Sequence, residues 1–268
     1  MSRLSEQLAL GRFVVTAEIA PPKGVGLDVI LEQAAALKGV TAVNVTDNQG
    51  ANMRTSPVAV AAVLARAGCE PVLQLTCRDR NRMALQSELL GASLLGIENL
   101  LLLSGDHPSF GDHPQSRPVF DLDSIHLLKV VKGLNGGFDM AGKPLSRAPF
   151  FFPGAAAVPE GEPFELMFHK FRKKVLAGAR FFQTQAIFDT AKLARFMDAA
   201  APLGVPVLAG VLLLKSARMC RFLNANIPGV RVPQTIIERL EKAADPTEEG
   251  VAIAGELVRF ARTCCQGV

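Results

Sequence analysis

Apolar runs of strand length alternate along this chain with segments whose apolar positions recur every three to four residues. The strand-like runs are Phe13–Ala20, Thr41–Asp47, Pro71–Cys77, Asn99–Gly105, Pro149–Ala155, Arg180–Phe188 and Val205–Leu214. Helical periodicity covers 28–38, 56–67, 80–91, 122–132, 163–178, 190–200 and 216–226, and returns at Val251–Arg262. Strands that are apolar on both faces and separated by helices predict a parallel sheet covered on both sides. Gly39, Gly68, Gly91, Gly178 and Gly204 fall where helices end or the next strand opens. No break in composition marks a boundary, so residues 1–268 are read as a single domain, a size that α/β barrels reach as one unit.

Two architectures fit this alternation: an open doubly wound sheet and a closed (β/α)8 TIM barrel. The first should show G-x-G-x-x-G after an early strand. Gly24-Val25-Gly26 lacks the third glycine and reads as a turn. The predicted strand C-termini are unusually polar instead. Glu18, Asn44 with Thr46-Asp47-Asn48-Gln49, Gln74 with Thr76, Ser104-Gly105-Asp106-His107 and Gln183-Thr184-Gln185 all lie there. Functional residues of a barrel gather at that end, so the pattern predicts the barrel and one pocket ringed by these side chains. After the helix Val251–Arg262 a barrel would run an eighth strand, and Cys264–Val268 is the approach to it. The expectation is either a strand past the given sequence or a seven-stranded barrel open on one side, whose edge a partner subunit or a second copy would cover.

Composition narrows the class. Of 268 residues 49% are hydrophobic, enough for a sizeable core, and the net charge of +4 is evenly spread. Nucleic-acid binding would need clustered Lys and Arg. There is no tryptophan or tyrosine, which argues against aromatic hot-spot recognition. Met1–Glu6 has no apolar signal core, and the longest apolar stretches fall far below the ~20 residues of a membrane span. Cys69, Cys77, Cys220, Cys264 and Cys265 form no C-x-x-C pair and are odd in number. They read as reduced thiols of a cytoplasmic protein, with no zinc or disulfide frame.

The candidate chemistry begins with Phe13-Val-Val-Thr-Ala-Glu18-Ile-Ala-Pro21-Pro22, a β-branched strand carrying one carboxylate and stopped by two prolines. Burial would raise the pKa of Glu18 and make it a proton donor at neutral pH; the alternative is a carboxylate where the strand meets solvent. Asn99–Leu103 opens into Ser104-Gly105-Asp106-His107-Pro108, where glycine would let a flat ligand approach and Asp106 would bind a polar ring edge. Asp106 as a turn residue is the competing reading. The Gly-Asp-His-Pro tetrapeptide recurs at 111–114, in a Pro-interrupted spacing that suits a surface loop better than a metal. Gln183 and Gln185 place amides in an otherwise apolar strand, where a pterin or nicotinamide edge, or a structural partner, would satisfy them. Phe164, Phe168, Phe171 and Val175 form an apolar stripe, beside which Lys170, Arg172, Lys173 and Lys174 offer a phosphate site or a solvated face.

These residues resemble the methylenetetrahydrofolate reductase family. The resemblance rests on Ala17-Glu18-Ile19-Ala20-Pro21-Pro22, Leu75-Thr76-Cys77, Gly105-Asp106-His107-Pro108, Phe171-Arg172-Lys173-Lys174-Val175 before Ala177-Gly178-Ala179, and Thr184-Gln185 with Phe188-Asp189, in order over residues 10–230. It implies a flavin-bearing barrel that reduces 5,10-methylenetetrahydrofolate to 5-methyltetrahydrofolate. Glu18 would be the acid that opens the five-membered ring, and Asp106 would tune flavin and pterin. Gln185 would hold the pterin or a nicotinamide in its place. Thr46, Gln74, Ser104 and Gly105 would line the flavin, with Lys174, Arg172 and Lys173 at its phosphate. Two departures stand out: Gln74 replaces the family's His before Leu-Thr-Cys, and Ser104 replaces the Arg before Gly-Asp. FAD and FMN therefore both remain open, as do NAD(P)H, a ferredoxin-type donor and a partner subunit as electron source. A flavin-free folate-binding barrel acting in methyl transfer, and an inactive scaffold, are the competing readings. Retention of Glu18, Asp106 and Gln185 together argues against the scaffold.

Overall fold

A computed structural model describes residues 1–37, 39–227 and 229–268. The strands are β1 (Thr16–Ile19), β2 (Ala42–Val45), β3 (Pro71–Thr76), β4 (Asn99–Leu103), β5 (Phe152–Ala157), β6 (Phe181–Ala186) and β7 (Val207–Gly210). They follow one another in the sheet in chain order, and every pairing described is parallel. Helices separate them: α1 (Arg3–Ala9), α2 (Leu27–Ala36), α3 (Pro57–Arg66), α4 (Arg82–Leu94), α5 (Ser124–Asn135), α6 (Phe164–Ala177), α7 (Thr190–Ala200), α8 (Ala217–Asn226), α9 (Gln234–Lys242) and α10 (Pro246–Cys264). Sequential parallel strands with helical crossovers are the α/β, TIM-barrel-like class that the sequence predicts. The last residue of the predicted helix 28–38, Lys38, lies outside the described residues.

The chain divides into two compact units, Met1–Ala156 with Arg172–Phe181, and Ala157–Phe171 with Phe182–Val268. In the first unit β2 and β3 are buried along their whole length, as apolar parallel strands must be. Helix α1, which the sequence reading missed, closes the N-terminal end of these strands. The Glu70 carboxylate accepts from Arg3 N at 2.7 Å and Leu4 N at 2.6 Å, meeting the unpaired donors of a helix start. Ser2 Oγ donates to Asn99 Oδ1 at 2.5 Å, and Asn99 Nδ2 donates to Glu70 at 3.0 Å.

At the other end of the same strands, Asp47 is fully buried and accepts four hydrogen bonds. Thr76 N reaches its Oδ2 at 2.8 Å and Thr76 Oγ1 at 2.9 Å, while Arg80 Nη1 and Nη2 lie 2.7 and 3.3 Å from its two oxygens. A buried carboxylate persists only when its lone pairs are met this fully. The contacts tie the residue after β2 to the end of β3 and to the loop that follows it.

In the second unit Phe164, Phe168 and Phe171 stack in turn along one face of α6, and Phe171 packs on Phe182 and Phe196. Strand β7 is much shorter than the predicted 205–214. Leu214 joins a cluster with Phe188, Cys220, Ile236, Ile237, Leu240, Ile253 and Leu257, against which Val211 and Leu212 also pack, so this apolar run finds its burial among helices. Past α10, Gln266 N donates to Val207 O at 3.0 Å, and Gly267 bridges Leu208 in parallel. The chain crosses between the units at three points, so neither unit is a contiguous segment; on that ground we propose that residues 1–268 act as one domain.

Removing Asp47 strands the Arg80 charge and a buried Thr76 amide. Asp47→Ala is expected to destabilise the protein by about 3–5 kcal/mol, read as a lower denaturant midpoint at unchanged slope; a loss of under about 1 kcal/mol, the worth of an exposed pair, would contradict the role given to this contact.

Candidate active site

Direct partners in a parallel ladder point to the same face, and alternate residues along a strand share it. Glu18 is paired with Asn44, Asn44 with Val72, Gln74 with Leu101, and Leu101 with Gly154. Glu18, Asn44 and Gln74 therefore line one face of the first unit's sheet near its C-terminal end, with Leu101 and Gly154 beside them. The face is polar over β1–β3 and apolar over β4–β5.

Glu18 is exposed where its strand meets solvent, yet the protein packed around its carboxyl desolvates it enough to raise its pKa above the ordinary carboxylate value. Hydrogen bonds from Gln74 and Gln49 oppose that rise. Gln49 Nε2 donates to Oε1 and Gln74 Nε2 to Oε2, both at 3.2 Å. Asn44 Nδ2 donates to Ala17 O at 3.3 Å, while Asn44 Oδ1 and Thr46 Oγ1 are buried with no hydrogen-bond partner. Orphaned buried oxygens of this kind are uncommon and mark a place where a polar ligand has something to satisfy.

The Ser104-Gly105-Asp106 turn lies against the end of β3. Gly105 has φ +92°, and a Cβ there would stand 3.0 Å from Thr76 Cβ and 3.1 Å from Arg78 Cβ, so glycine answers the approach of β3 itself. Ser104 Oγ accepts from Ser124 N at 3.2 Å and thereby holds the start of α5. Asp106 is exposed; its carbonyl accepts from Arg78 Nη1 at 3.4 Å. Arg78 is almost wholly buried and grips Asp79 with two hydrogen bonds, at 2.9 and 2.7 Å. Burial pulls the Asp79 pKa up, but Arg78, Asn48 and Arg80 together hold it below its ordinary value. Burial would lower that of Arg80, and Asp47 reverses this. Cys77, in the Leu-Thr-Cys motif, is buried, and desolvation with nearby Asp123 pushes its thiol up to about 12. It is a packing residue with no thiolate at neutral pH.

The repeated Gly-Asp-His-Pro is a rim fastening. Asp112 accepts from Lys23 Nζ at 2.6 Å, Met53 N at 3.0 Å and His113 Nδ1 at 2.8 Å, and the Lys23 hydrogen bond above all holds its carboxyl far below the usual range. Among the described residues no three His, Cys, Asp or Glu side chains converge on a metal position. Lys174 Nζ donates to Ala156 O at 2.7 Å, while Arg172 and Lys173 are exposed on α6.

The second unit carries the amide strand. Thr184 Oγ1 donates to Gln185 O at 2.6 Å and accepts from Gly210 N at 2.8 Å, at an irregularity in the β6–β7 ladder. Gln183 Nε2 is buried without a partner, and Gln185 is exposed. Asp189 caps α7 through Ala191 N and Lys192 N.

Sequence reasoning placed Gln49 only in a polar stretch and did not single out Arg78, Asp79 or Arg80. The signal for the last three was present: a charged run directly after a strand with the composition of a buried one must find partners if any of it is buried.

The family model described as methylenetetrahydrofolate reductase matches residues 3–268. A probable methylenetetrahydrofolate reductase (NADH) of Oryza sativa subsp. japonica is 26% identical over an alignment of 245 residues that covers 85% of this chain and 40% of that protein. The 5,10-methylenetetrahydrofolate reductase of Pectobacterium carotovorum is 26% identical over 265 residues, 93% of this chain and 82% of that one. The chain thus spans less than half of the plant relative and most of the bacterial one. The crystal structure of DmoA from Hyphomicrobium sulfonivorans superposes with a TM-score of 0.56 at 9% identity, over 96% of this chain and 83% of that chain, a likeness of fold alone. With its barrel-like topology and a model match from residue 3 to 268, the chain belongs to the methylenetetrahydrofolate reductase family.

Proposed function

We propose that this protein reduces 5,10-methylenetetrahydrofolate to 5-methyltetrahydrofolate, with a flavin as redox cofactor and Glu18 as general acid. The observation that carries the reading is a carboxyl whose burial raises its pKa, held by two amides on the polar face of the sheet. The product keeps its one-carbon unit on N5 of the pterin, so the bond to N10 must break. Proton delivery from Glu18 to N10 makes that nitrogen a leaving group and leaves an electrophilic iminium carbon. A bound flavin supplies the hydride that this carbon accepts.

The first unit suits such a cofactor. Asn44 Oδ1 and Thr46 Oγ1 are orphaned beside Glu18, and the apolar β4–β5 side adjoins them. Thr46, Gln74, Ser104, Gly105 and Asp106 would line the ring system, and the exposed Arg172 and Lys173, with Lys174, would meet its phosphate. Gln185, whose side chain is exposed, is given the pterin or a nicotinamide by the family resemblance alone. A nicotinamide donor accords with the printed name of the rice relative, which includes NADH. No described helix is long and apolar enough to cross a membrane.

Glu18→Gln keeps size and one of the two hydrogen bonds, since its single oxygen can accept from one amide, but has no proton to give. Reduction of bound flavin by the donor is expected to persist, while the folate half-reaction falls by about 10²–10⁴-fold in stopped-flow absorbance. Equal loss in both half-reactions would remove the acid assignment. The same variant tests the electrostatics. A carboxyl whose folded pKa lies above its unfolded one binds its proton more tightly when folded, so it loses stability as pH rises from the unfolded value through the raised one. Glu18→Gln should therefore have a higher Tm than wild type at neutral pH, with the gap closing below pH of about 4. A lower Tm at neutral pH would contradict it.

A further inference from the structure

The two amides on Glu18 are not equivalent. Gln74 stands in the middle of β3 and is 7% exposed, so its rotation is confined by the strands around it. Gln49 is exposed, but its backbone is fixed. It follows Asn48 and precedes Gly50 and Ala51, all three in the left-handed region, at φ 46°, 62° and 58°. Asn52 Nδ2 donates to Gln49 O at 3.3 Å and to Gly50 O at 3.2 Å. Asn48 accepts from Arg54 N at 2.8 Å and donates to Asp79 at 3.3 Å. Gly111 has no room for a Cβ, which would fall 1.8 Å from Ala51 O. The loop holds Gln49 in reach of Glu18 and leaves its side chain exposed, unconfined by neighbouring strands.

A carboxylate only accepts hydrogen bonds, whereas a protonated carboxyl must donate one. With an N–H donor on each oxygen, the incoming proton finds no acceptor on either amide until that amide turns its own oxygen inward. Burial denies that rotation to Gln74 and exposure grants it to Gln49. We propose that Gln49 and Gln74 are positioning residues with divided work: Gln74 fixes the aim of the Glu18 carboxyl, and Gln49 rotates as Glu18 gains and releases its proton on Oε1. The charges around them do not compete for this role. Strands β2 and β3 carry no ionisable side chain. In the loops that follow, Asp47 pairs with Arg80 and Asp79 with Arg78, and Asp106 is exposed. The catalytic meaning of this arrangement rests on the reading of Glu18 as the acid; the arrangement itself does not.

The test is an NMR titration of the full chain, following the Glu18 carboxyl carbon and the side-chain amide signals of Gln49 and Gln74 without folate or donor. In the wild type the Gln49 amide signals should move with the midpoint of Glu18, and those of Gln74 much less. Gln49→Met and Gln74→Met each remove a donor to the charged form, and each should raise the Glu18 midpoint by about half to one unit. In turnover, both variants should shift the alkaline limb of the pH profile upward, and Gln74→Met, which also frees the aim of the carboxyl, should lower the plateau more than Gln49→Met. Unchanged or lowered midpoints in both variants would overturn the proposal. So would a Gln74 amide that follows the titration while that of Gln49 stays silent, a result the wild type alone can give should either variant fail to fold. If Glu18→Gln retained folate reduction while these titrations came out as expected, the reductase mechanism would fall and the division between the amides would stand.

Discussion

One buried carboxylate sets the geometry on which the first unit depends. Asp47 follows β2 directly, and its oxygens are claimed by the backbone and hydroxyl of Thr76 at the end of β3 and by the fork of Arg80 beyond it. Hydrogen bonds to a charged acceptor are stronger than neutral ones, and in a dry setting a shift of one partner leaves an unpaid charge. The ends of β2 and β3 are therefore held in register where register matters most. Asn44, Thr46 and Gln74 stand within three residues of this knot, and Gln49 lies two residues past Asp47. The Arg78–Asp79 pair extends it to the Asp106 carbonyl and to Asn48, so three loops share one electrostatic anchor.

Against that rigid frame, Glu18 is the group left in tension. Burial favours its neutral form and two amide donors favour its charged form. A proton donor for an amine leaving group needs this balance, because a carboxyl at its ordinary pKa is empty at neutral pH and one held too tightly would not release. The charged residues nearby are spent on one another, which keeps cations from pulling the Glu18 pKa down. Strong ion pairs thus sit around the proposed site, while the Glu18 carboxylate accepts from the two neutral amides of Gln49 and Gln74.

Much of this was readable from the chain. The alternation of apolar runs and helical periods gave strand number and parallel order, and Pro21-Pro22 marked the strand end that carries Glu18. Polar strand C-termini and the missing dinucleotide fingerprint point to the barrel. What stayed hidden depends on contacts far apart in sequence. Asp47 and Arg80 are 33 residues apart, one at the polar end of a predicted strand and the other at the start of a predicted helix, and nothing local in either segment names the other as its partner. Gln49 reaches Glu18 only because Asn48, Gly50 and Ala51 adopt left-handed backbone, which for alanine no local rule foretells. Val211–Leu214 read as strand because an apolar run has no periodicity to separate sheet burial from burial against helices. Ser104, read as a departure from the family's arginine, turned out to hold the start of α5.

The central claim is that the one-carbon unit of a folate receives its hydride in this protein through a flavin. The direct measurement is anaerobic: load the protein with FAD or FMN, reduce it, mix it with 5,10-methylenetetrahydrofolate, and follow visible absorbance together with the folate products. The account predicts return of the oxidised flavin spectrum with 5-methyltetrahydrofolate formed in equal amount. A flavin that binds and is reduced but stays reduced in the presence of this folate, or a protein that takes up neither flavin, would contradict it.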